Sequence, residues 1–188
     1  MEKVSSPARG KDMMEKNIRE RLSRKKILIM AHMVLGYPSF EDNRAMLEQM
    51  QKADVDLIEL QFPFSEPTAD GPIFVKANQL SILKGTTVEQ CFEFMQKASG
   101  CGIPLLMMGY YNLVFVKGEE AFCRRLSQCG AQGAILPDIP VQVAGTLETT
   151  CEKLGLDLVQ IMVPNSSPER RRTIAEHSRG FIYCVARK

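Results

Sequence analysis

Two carboxylate side chains, Glu59 and Asp70, lie close enough in the sequence to act on one substrate. Glu59 belongs to the apolar run 55–62, and Asp70 follows in a loop interrupted by proline and glycine. Burial disfavours the charged form of a carboxyl group, so a carboxyl at the mouth of a folded core can both give and take a proton. Two carboxyls in different environments can divide the acid and base roles. The alternative is structural, with Glu59 a hydrogen-bonded core residue and Asp70 a turn residue before Gly71.

Strands and helices alternate along the chain, and this order decides where the two carboxyls are placed. Capping residues support the division, since Ser39 and Thr87 stand where two helices would begin. Strict alternation predicts a parallel sheet with crossover helices. Short apolar runs predict strands at 27–35, 55–62, 104–110, 133–136, 157–163 and 180–186. Amphipathic segments predict helices at 11–24, 40–53, 87–99, 118–129, 141–154 and 168–178.

The second predicted strand, 55–62, has one mixed face and one apolar face. Every second side chain of a strand shares a face, so Leu57, Glu59 and Gln61 lie together. The three side chains on the other face are all apolar. Because the apolar face must pack on helices, we expect Glu59 to point into the space enclosed by the sheet.

Two architectures are consistent with this alternation, an open doubly wound sheet and a closed eight-unit barrel. Neither a dinucleotide-binding G-x-G-x-x-G turn nor a P-loop follows a predicted strand. Polar residues instead collect at the carboxyl ends of several predicted strands, where a barrel builds its active site. The predicted fold is therefore α/β, a TIM (β/α)8-type barrel. The polar residues at the strand ends are Glu59, Gln61, Tyr110, Asn112, Asp138 and Asn165.

The number of units is smaller than a complete barrel requires. Residues 1–188 form one predicted domain with six βα units, whereas a complete barrel has eight units and typically about 250 residues. The sequence therefore predicts an incomplete barrel, truncated after strand six, with the last two units missing. Loops after those units usually bind phosphate in barrels. Two unpaired strand edges predict poor stability unless a partner or self-association covers them.

Composition argues against several classes of protein. The 188 residues include 24 Lys and Arg against 22 Asp and Glu, so no basic surface for nucleic acid or an anionic membrane stands out. No apolar run is long enough to span a bilayer, and residues 1–12 carry no secretory signal, so we expect a cytoplasmic protein. The six cysteines include no C-x-x-C pair and there are two histidines. We therefore expect buried free thiols and no metal site.

The run from Glu59 to Pro72 resembles the signature of one enzyme family. It reads ELQFPFSEPTADGP, which is similar to the E-L-G-x-P-F-S-D-P-x-A-D-G-P pattern of the tryptophan synthase alpha subunit family. The order and spacing of further matches fit the same family. These matches lie at 36–38, 110–115, 133–140, Pro164, Arg170 and 180–183.

The resemblance implies a lyase of tryptophan biosynthesis. The reaction is the retro-aldol cleavage of indole-3-glycerol phosphate to indole and glyceraldehyde 3-phosphate. The resemblance assigns Glu59 as the catalytic proton shuttle, and Asp70 as the carboxylate that holds the indole N–H and offsets its developing positive charge. Tyr110 and Tyr183 match substrate-binding tyrosines.

The resemblance also implies a partner, the tryptophan synthase beta subunit, in an α2β2 heterotetramer. The beta subunit receives the indole and carries pyridoxal phosphate, and no cofactor is expected in this chain. Residues matching positions on or near the contact face are Glu66, Pro67, Asn112, Asp138 and Pro140.

Three positions depart from the family pattern. Gln61 stands in place of a glycine, Glu66 in place of an aspartate, and His32 where the family usually has an aromatic residue. Gln61 could hydrogen-bond Glu59 or occupy space needed by indole, and His32 makes the site more polar. The alternative function is therefore a non-catalytic or inactive alpha subunit that binds and activates the beta subunit.

Overall fold

Six strands pair in chain order to form one parallel sheet. The computed structural model describes residues 13–186. Within this range, the first strand pairs only with the second and the last only with the fifth. Consecutive parallel order is that of a (β/α)8 barrel, so the prediction of an incomplete barrel is confirmed. The strands are β1 (Met30–Val34), β2 (Leu57–Gln61), β3 (Leu105–Met108), β4 (Gly133–Ile135), β5 (Asp157–Met162) and β6 (Ile182–Cys184).

Eight α-helices lie within the described range. They are α1 (Met13–Leu22), α2 (Phe40–Lys52), α3 (Pro72–Leu83), α4 (Val88–Ala98), α5 (Tyr111–Lys117), α6 (Glu119–Gln128), α7 (Gly145–Lys153) and α8 (Pro168–His177). Each predicted strand is confirmed, and every observed strand lies inside its predicted range. Residues 11 and 12 of the first predicted helix, and the segment 1–12 considered for a secretory signal, lie outside the described residues. No helix within 13–186 is long and apolar enough to cross a membrane.

Two helices, α3 and α5, occupy stretches for which the sequence predicted no helix. Hydrophobic periodicity is absent in α3, because it buries the polar side chains of Asn78 and Ser81 while Ile73 and Leu83 are each 80% exposed. Helix α5 has seven residues and buries one of them, Val114. Neither α3 nor α5 therefore has the periodic apolar face that predicts a helix from sequence.

The predicted caps at Ser39 and Thr87 are confirmed. The hydroxyl of Ser39 accepts a hydrogen bond of 3.1 Å from the backbone N–H of Asp42. Thr87 forms a capping box with Gln90, in which each side chain bonds the other residue's backbone N–H. These bonds satisfy N–H groups that have no partner in the first turn of a helix.

The two faces of β2 contribute to two apolar clusters. Ile58, Leu60 and Phe62 belong to a large cluster between the sheet and the helices. Leu57 belongs to a smaller cluster inside the curved sheet, together with residues of β3, β4 and β5. The predicted division of faces is therefore confirmed, and the face that carries Glu59 is the inner one.

Helix α1 crosses the amino ends of the strands. Its Met14 is fully buried in the inner cluster. Arg21 donates hydrogen bonds to Asp56, just before β2, and to the carbonyl of Gly102, which precedes β3. Asn17 donates to Gln132, just before β4. The amino end of the inner space is therefore covered, and the carboxyl ends of the strands are left for a site.

Candidate active site

Glu59 and His32 are neighbours because β1 and β2 are paired in register. The two residues face each other across the strands, and Nδ1 of His32 lies 3.3 Å from Oε1 of Glu59. Glu59 is only 3% exposed. Although burial lowers it, the pKa of His32 is raised overall, because Glu59 stabilises the imidazolium through a hydrogen bond and its charge. Proton exchange between these two groups is therefore geometrically possible.

Gln61 links His32 to Asp70. Its Oε1 lies 2.9 Å from Nε2 of His32, and its Nε2 donates a hydrogen bond of 2.6 Å to Oδ2 of Asp70. Gln61 is the last residue of β2 and is fully buried. The sequence predicted that Gln61 and Glu59 share one face of β2, and the structure confirms this. The side-chain amide contacts His32 and Asp70, a pairing that the sequence did not specify.

The loop after β2 folds back and places Asp70 against the inner face of the sheet. The backbone N–H of Asp70 donates to the carbonyl of Pro67 at 3.0 Å, which tightens the loop. Burial raises the pKa of the Asp70 carboxyl, although the hydrogen bond from Gln61 and the nearby His32 oppose this shift. Glu59 and Asp70, which the sequence placed at one mouth, are therefore connected through His32 and Gln61.

Asn78 is a site residue that sequence reasoning missed. It is fully buried on α3. Its Nδ2 lies 3.4 Å from Oδ2 of Asp70, and its Oδ1 accepts from the backbone N–H of Phe64 at 2.9 Å. Asn78 therefore ties both ends of the loop to a helix. The stretch 72–83 mixes apolar residues with Lys76, Asn78, Gln79 and Ser81, so no apolar pattern marked the helix or singled out Asn78.

Two tyrosines border the carboxyl groups. Tyr110 follows β3, and its hydroxyl accepts a hydrogen bond from the backbone N–H of Ala69. Burial raises the pKa of Tyr110 to about 12, with a smaller contribution from the charge of Asp70. Tyr183 lies on β6, where burial and the charges of Glu59 and Asp70 raise its pKa. Both phenols therefore stay protonated near neutral pH and can serve as hydrogen-bond donors.

The proposed partner-facing residues lie at the same end of the sheet, in loops and, for Asn112, in the first turn of α5. Glu66, Asn112, Asp138 and Pro140 are exposed, whereas Pro67 is buried. Asp138 has a local role as well, because both of its carboxylate oxygens accept from the backbone N–H of Tyr111 at the start of α5. These loops form the rim around Glu59 and Asp70.

A separate cavity of about 470 Å³ lies at the amino ends of β5 and β6. Its lining includes Glu148, Asp157 and Arg179. Active sites of barrels lie at the carboxyl ends of the strands, so we do not assign the reaction to this cavity. Within residues 13–186, no group of three or more His, Cys, Asp or Glu side chains is arranged to hold a metal ion.

Comparison with known proteins gives one consistent answer. The family model described as Tryptophan synthase alpha chain matches residues 18–188. The tryptophan synthase alpha chain of Syntrophotalea carbinolica is 47% identical over 94% of this chain and 70% of its own length. That of Desulfotalea psychrophila is 48% identical over 93% of this chain and 69% of its own length.

Solved structures agree with the sequence comparison. A chain of Mycobacterium tuberculosis tryptophan synthase superposes with a TM-score of 0.88 at 27% identity, over 92% of this chain and 67% of that one. The tryptophan synthase subunit alpha of Legionella pneumophila gives a TM-score of 0.85 at 26% identity, over 92% and 66%. The match in sequence, in fold and in strand order establishes that this chain belongs to the tryptophan synthase alpha chain family, a family of lyases.

Proposed function

We propose that this chain cleaves indole-3-glycerol phosphate to indole and glyceraldehyde 3-phosphate by a retro-aldol reaction. The observation that carries the proposal is the chain of polar contacts from Glu59 through His32 and Gln61 to Asp70, on the inner face of β1 and β2 and in the loop after β2. The reaction needs a proton donor and acceptor near indole C3 and a carboxylate near the indole nitrogen. Glu59 and Asp70 are the two acidic side chains in this chain of contacts.

Glu59 is proposed as both acid and base. Cleavage of the bond at indole C3 adds one proton to that carbon and removes one from the hydroxyl group that becomes the aldehyde. A single buried carboxyl that gives the first proton and takes the second returns to its starting state. The low exposure of Glu59 supports this role, because few water molecules can reach it and compete for the proton.

Asp70 is proposed to bind the indole N–H. Protonation at C3 leaves positive charge on the indole ring, and a carboxylate beside the nitrogen stabilises that charge. Burial raises the pKa of Asp70 because it disfavours the carboxylate, and positive charge on a bound indole ring would offset that cost. The loop position of Asp70, fixed by Asn78 and Gln61, supports a role in orientation.

The aromatic side chains near the two carboxyls are proposed to bind the indole ring. Tyr110 stacks on Phe64, with ring centres 5.1 Å apart. Tyr183 lies on β6, close enough to Glu59 and Asp70 for their charges to raise its pKa. Flat aromatic surfaces of this kind suit an indole ring through stacked or edge-to-face contacts.

The proposed partner is a tryptophan synthase beta subunit that carries pyridoxal phosphate and receives the indole. An α2β2 arrangement is the expected assembly. The exposed residues Glu66, Asn112, Asp138 and Pro140 follow β2, β3 and β4, next to the proposed site, so a partner bound there would adjoin the place where indole is released. This chain is proposed to hold no cofactor of its own.

A second candidate function is activation of the beta subunit without cleavage. The observation that favours it is the short bond from Gln61 to Asp70, which occupies an oxygen of the carboxylate that would bind indole. A substrate must then use the other oxygen or displace the amide.

One assay separates the two candidates. The chain is mixed with a beta subunit, and indole release from indole-3-glycerol phosphate is measured beside the rate of the serine-plus-indole reaction. Glu59→Gln tests the proposed acid, and general acid–base groups typically contribute about 10²- to 10⁴-fold. Glu148→Gln is the matched control, because Glu148 also pairs with a histidine, His177, at 2.8 Å, but on α7.

Release that Glu59→Gln abolishes and Glu148→Gln retains supports the cleavage function. Stimulation of the beta reaction without release supports the second candidate. Release that survives Glu59→Gln overturns the role of Glu59, and a chain that neither cleaves nor stimulates contradicts both functions.

A further inference from the structure

We propose that His32 and Glu59 hold one proton between them, in a position fixed by Gln61 and Asp70, so that His32 is a positioning residue that keeps a proton available to Glu59. This inference rests on the proposed function for its consequence in the reaction. The sharing of the proton itself rests only on the geometry of the four side chains.

Asp70 sets the orientation of the Gln61 amide. An ionised carboxylate only accepts hydrogen bonds, so the amide atom 2.6 Å from Oδ2 of Asp70 must be the nitrogen. Asn78 directs its own amide nitrogen at the same oxygen, at 3.4 Å. Because Gln61 is fully buried, a reversed amide would leave two oxygens opposed without water between them. The carbonyl oxygen of Gln61 therefore faces His32.

Gln61 in turn sets the tautomer of His32. An amide oxygen only accepts hydrogen bonds, and Oε1 of Gln61 lies 2.9 Å from Nε2 of His32. Nε2 must therefore carry a hydrogen. A neutral imidazole has one N–H, so in the neutral form Nδ1 presents a lone pair.

The tautomer of His32 limits the number of protons that His32 and Glu59 can hold between them. Nδ1 lies 3.3 Å from Oε1 of Glu59, and the two side chains are 21% and 4% exposed. With one proton the pair is either a carboxylic acid beside a neutral imidazole or a carboxylate beside an imidazolium. With no proton between the two groups, the lone pair of Nδ1 faces the buried Glu59 carboxylate. With two protons, Nδ1 of His32 and Oε1 of Glu59 both carry a hydrogen and oppose each other. The state with one proton is therefore favoured.

The surroundings keep this proton within the pair. Phe74 of α3 lies edge-on to the imidazole, with ring centres 4.6 Å apart, and presents no charge. Among residues 13–186, the other titratable groups near the pair are Asp70, which Gln61 engages, and Tyr183, whose pKa is raised by burial and by the charges of Glu59 and Asp70. Tyr110, whose pKa is also raised, lies beside Asp70. The raised pKa of His32, despite its burial, agrees with an imidazolium stabilised by Glu59.

The consequence for the reaction is a closed proton balance. The pair gives its shared proton through Glu59 to indole C3. When the carbon–carbon bond breaks, the hydroxyl that becomes the aldehyde returns one proton to the Glu59 carboxylate. The pair ends with one proton, as it began, and no proton from water is needed.

Nitrogen-15 NMR of histidine-labelled protein tests the shared proton without substrate. The chain has two histidines, so His177→Gln assigns the signals. We expect Nε2 of His32 to stay protonated throughout the titration, and the titration midpoint to fall in Glu59→Gln. His177, paired with Glu148 on the surface, is the internal control and should not respond to Glu59→Gln.

Two results would overturn the shared proton. One is a neutral His32 protonated at Nδ1, and the other is a His32 titration that Glu59→Gln leaves unchanged. If Glu59→Gln does not fold, Asp70→Asn gives a second reading, because the Gln61 amide then loses its fixed orientation. A mixture of His32 tautomers is expected in that variant, and an unchanged Nε2–H tautomer contradicts the proposal.

The pH dependence of cleavage tests the consequence. We expect His32→Gln to lower kcat by about 100-fold, at the lower end of acid–base contributions, with little change in KM, and to move the alkaline limb of the profile to lower pH. His177→Gln should leave kcat and the profile unchanged. A His32→Gln enzyme with the parental kcat and profile overturns the role of His32. If the parent chain does not cleave the substrate but the His32 titration still responds to Glu59→Gln, the proposed function is refuted and the shared proton is supported.

Discussion

The backbone N–H of Ala69 donates a hydrogen bond of 3.0 Å to the hydroxyl oxygen of Tyr110. This bond joins the loop after β2 to the end of β3, one residue before Asp70. Phe64, at the start of the same loop, stacks on the tyrosine ring at an angle of 20°. Tyr110 therefore contacts the loop at two points and helps to set the position of the Asp70 carboxyl.

Removing the hydroxyl in Tyr110→Phe should weaken cleavage while leaving the ring in place. The N–H of Ala69 loses its partner, a cost of about 1 kcal/mol, and the loop gains freedom. We expect kcat/KM to fall by about 5- to 10-fold, which corresponds to about 1 to 1.4 kcal/mol. Steady-state kinetics with indole-3-glycerol phosphate measure the change.

Tyr111→Phe is the matched control for this prediction. Its hydroxyl donates to Glu119 at 2.7 Å, on the side of α5 and α6, so kcat/KM should stay close to that of the parent chain. Equal losses in both variants would show that the hydroxyl of Tyr110 has no particular role in holding the loop.

Asn43→Ala should be strongly destabilising. Asn43 is fully buried on α2 and makes three hydrogen bonds to the turn after β1, accepting from the N–H of Gly36 and donating to the carbonyls of Val34 and Tyr37. Removal takes the partner from the N–H of Gly36 and from the carbonyl of Tyr37, and leaves the carbonyl of Val34 only the N–H of Tyr37, so we expect a loss of about 3 kcal/mol. Urea unfolding measures it, and Glu48→Ala, exposed on the same helix, should stay within about 0.5 kcal/mol.

Alternation of side chains was enough to predict the inner position of Glu59. A strand has a fixed period of two, so the apolar set of Ile58, Leu60 and Phe62 left one choice for the opposite face. The strand order also followed from the sequence, because alternating strands and helices form parallel units whose connections have one preferred hand. These features depend on local patterns, which a single sequence contains.

The contacts of the site depend on register and on an unpredicted helix, and for that reason the sequence did not specify them. His32 meets Glu59 because β1 and β2 pair at those positions, a relationship between residues 27 positions apart. Asn78 reaches Asp70 because α3 buries its polar side. Buried polar residues contradict the apolar pattern on which sequence analysis relies, and here they mark the site.

Thiol labelling should distinguish Cys184 from the other cysteines. Cys184 is exposed and Cys101 is half-buried, whereas Cys91, Cys123, Cys129 and Cys151 are buried. The sequence predicted buried thiols, and this is confirmed for those four but not for Cys101 or Cys184. Burial raises the pKa of Cys91, which further reduces its thiolate fraction.

We expect a thiol-specific reagent to modify Cys184 first and Cys101 more slowly, with the four buried thiols reacting only in denaturant. Mass spectrometry of the digested protein locates the labels. Cys184→Ser should remove the rapid phase. Rapid labelling of Cys123 or Cys151 in the native protein would contradict the burial of these two thiols, whose sulfur atoms lie 3.8 Å apart between α6 and α7.

Asp56 should stabilise the protein in a way that depends on pH. Its side chain is 1% exposed and accepts from the backbone N–H of Ile29 and from the side chains of Lys25 and Arg21. Burial raises the pKa of Asp56, but these three donors together lower it below the ordinary value. The folded state therefore favours the carboxylate more than the unfolded state does, and the stabilisation is fully present above the ordinary pKa of about 3.9.

Asp56→Asn should consequently lower the free energy of unfolding by about 2 kcal/mol at pH 7, the scale of hydrogen bonds to a charged group. The difference from the parent chain should shrink as the pH falls from about 4 through the lowered pKa of Asp56, because the parent loses the carboxylate there. Urea unfolding at a series of pH values measures this.

Asp54→Asn is the control: Asp54 also pairs with Lys25 but is 73% exposed, and exposed pairs contribute little. A difference for Asp56→Asn that is constant down to pH 2 would show that its charge is not the stabilising feature.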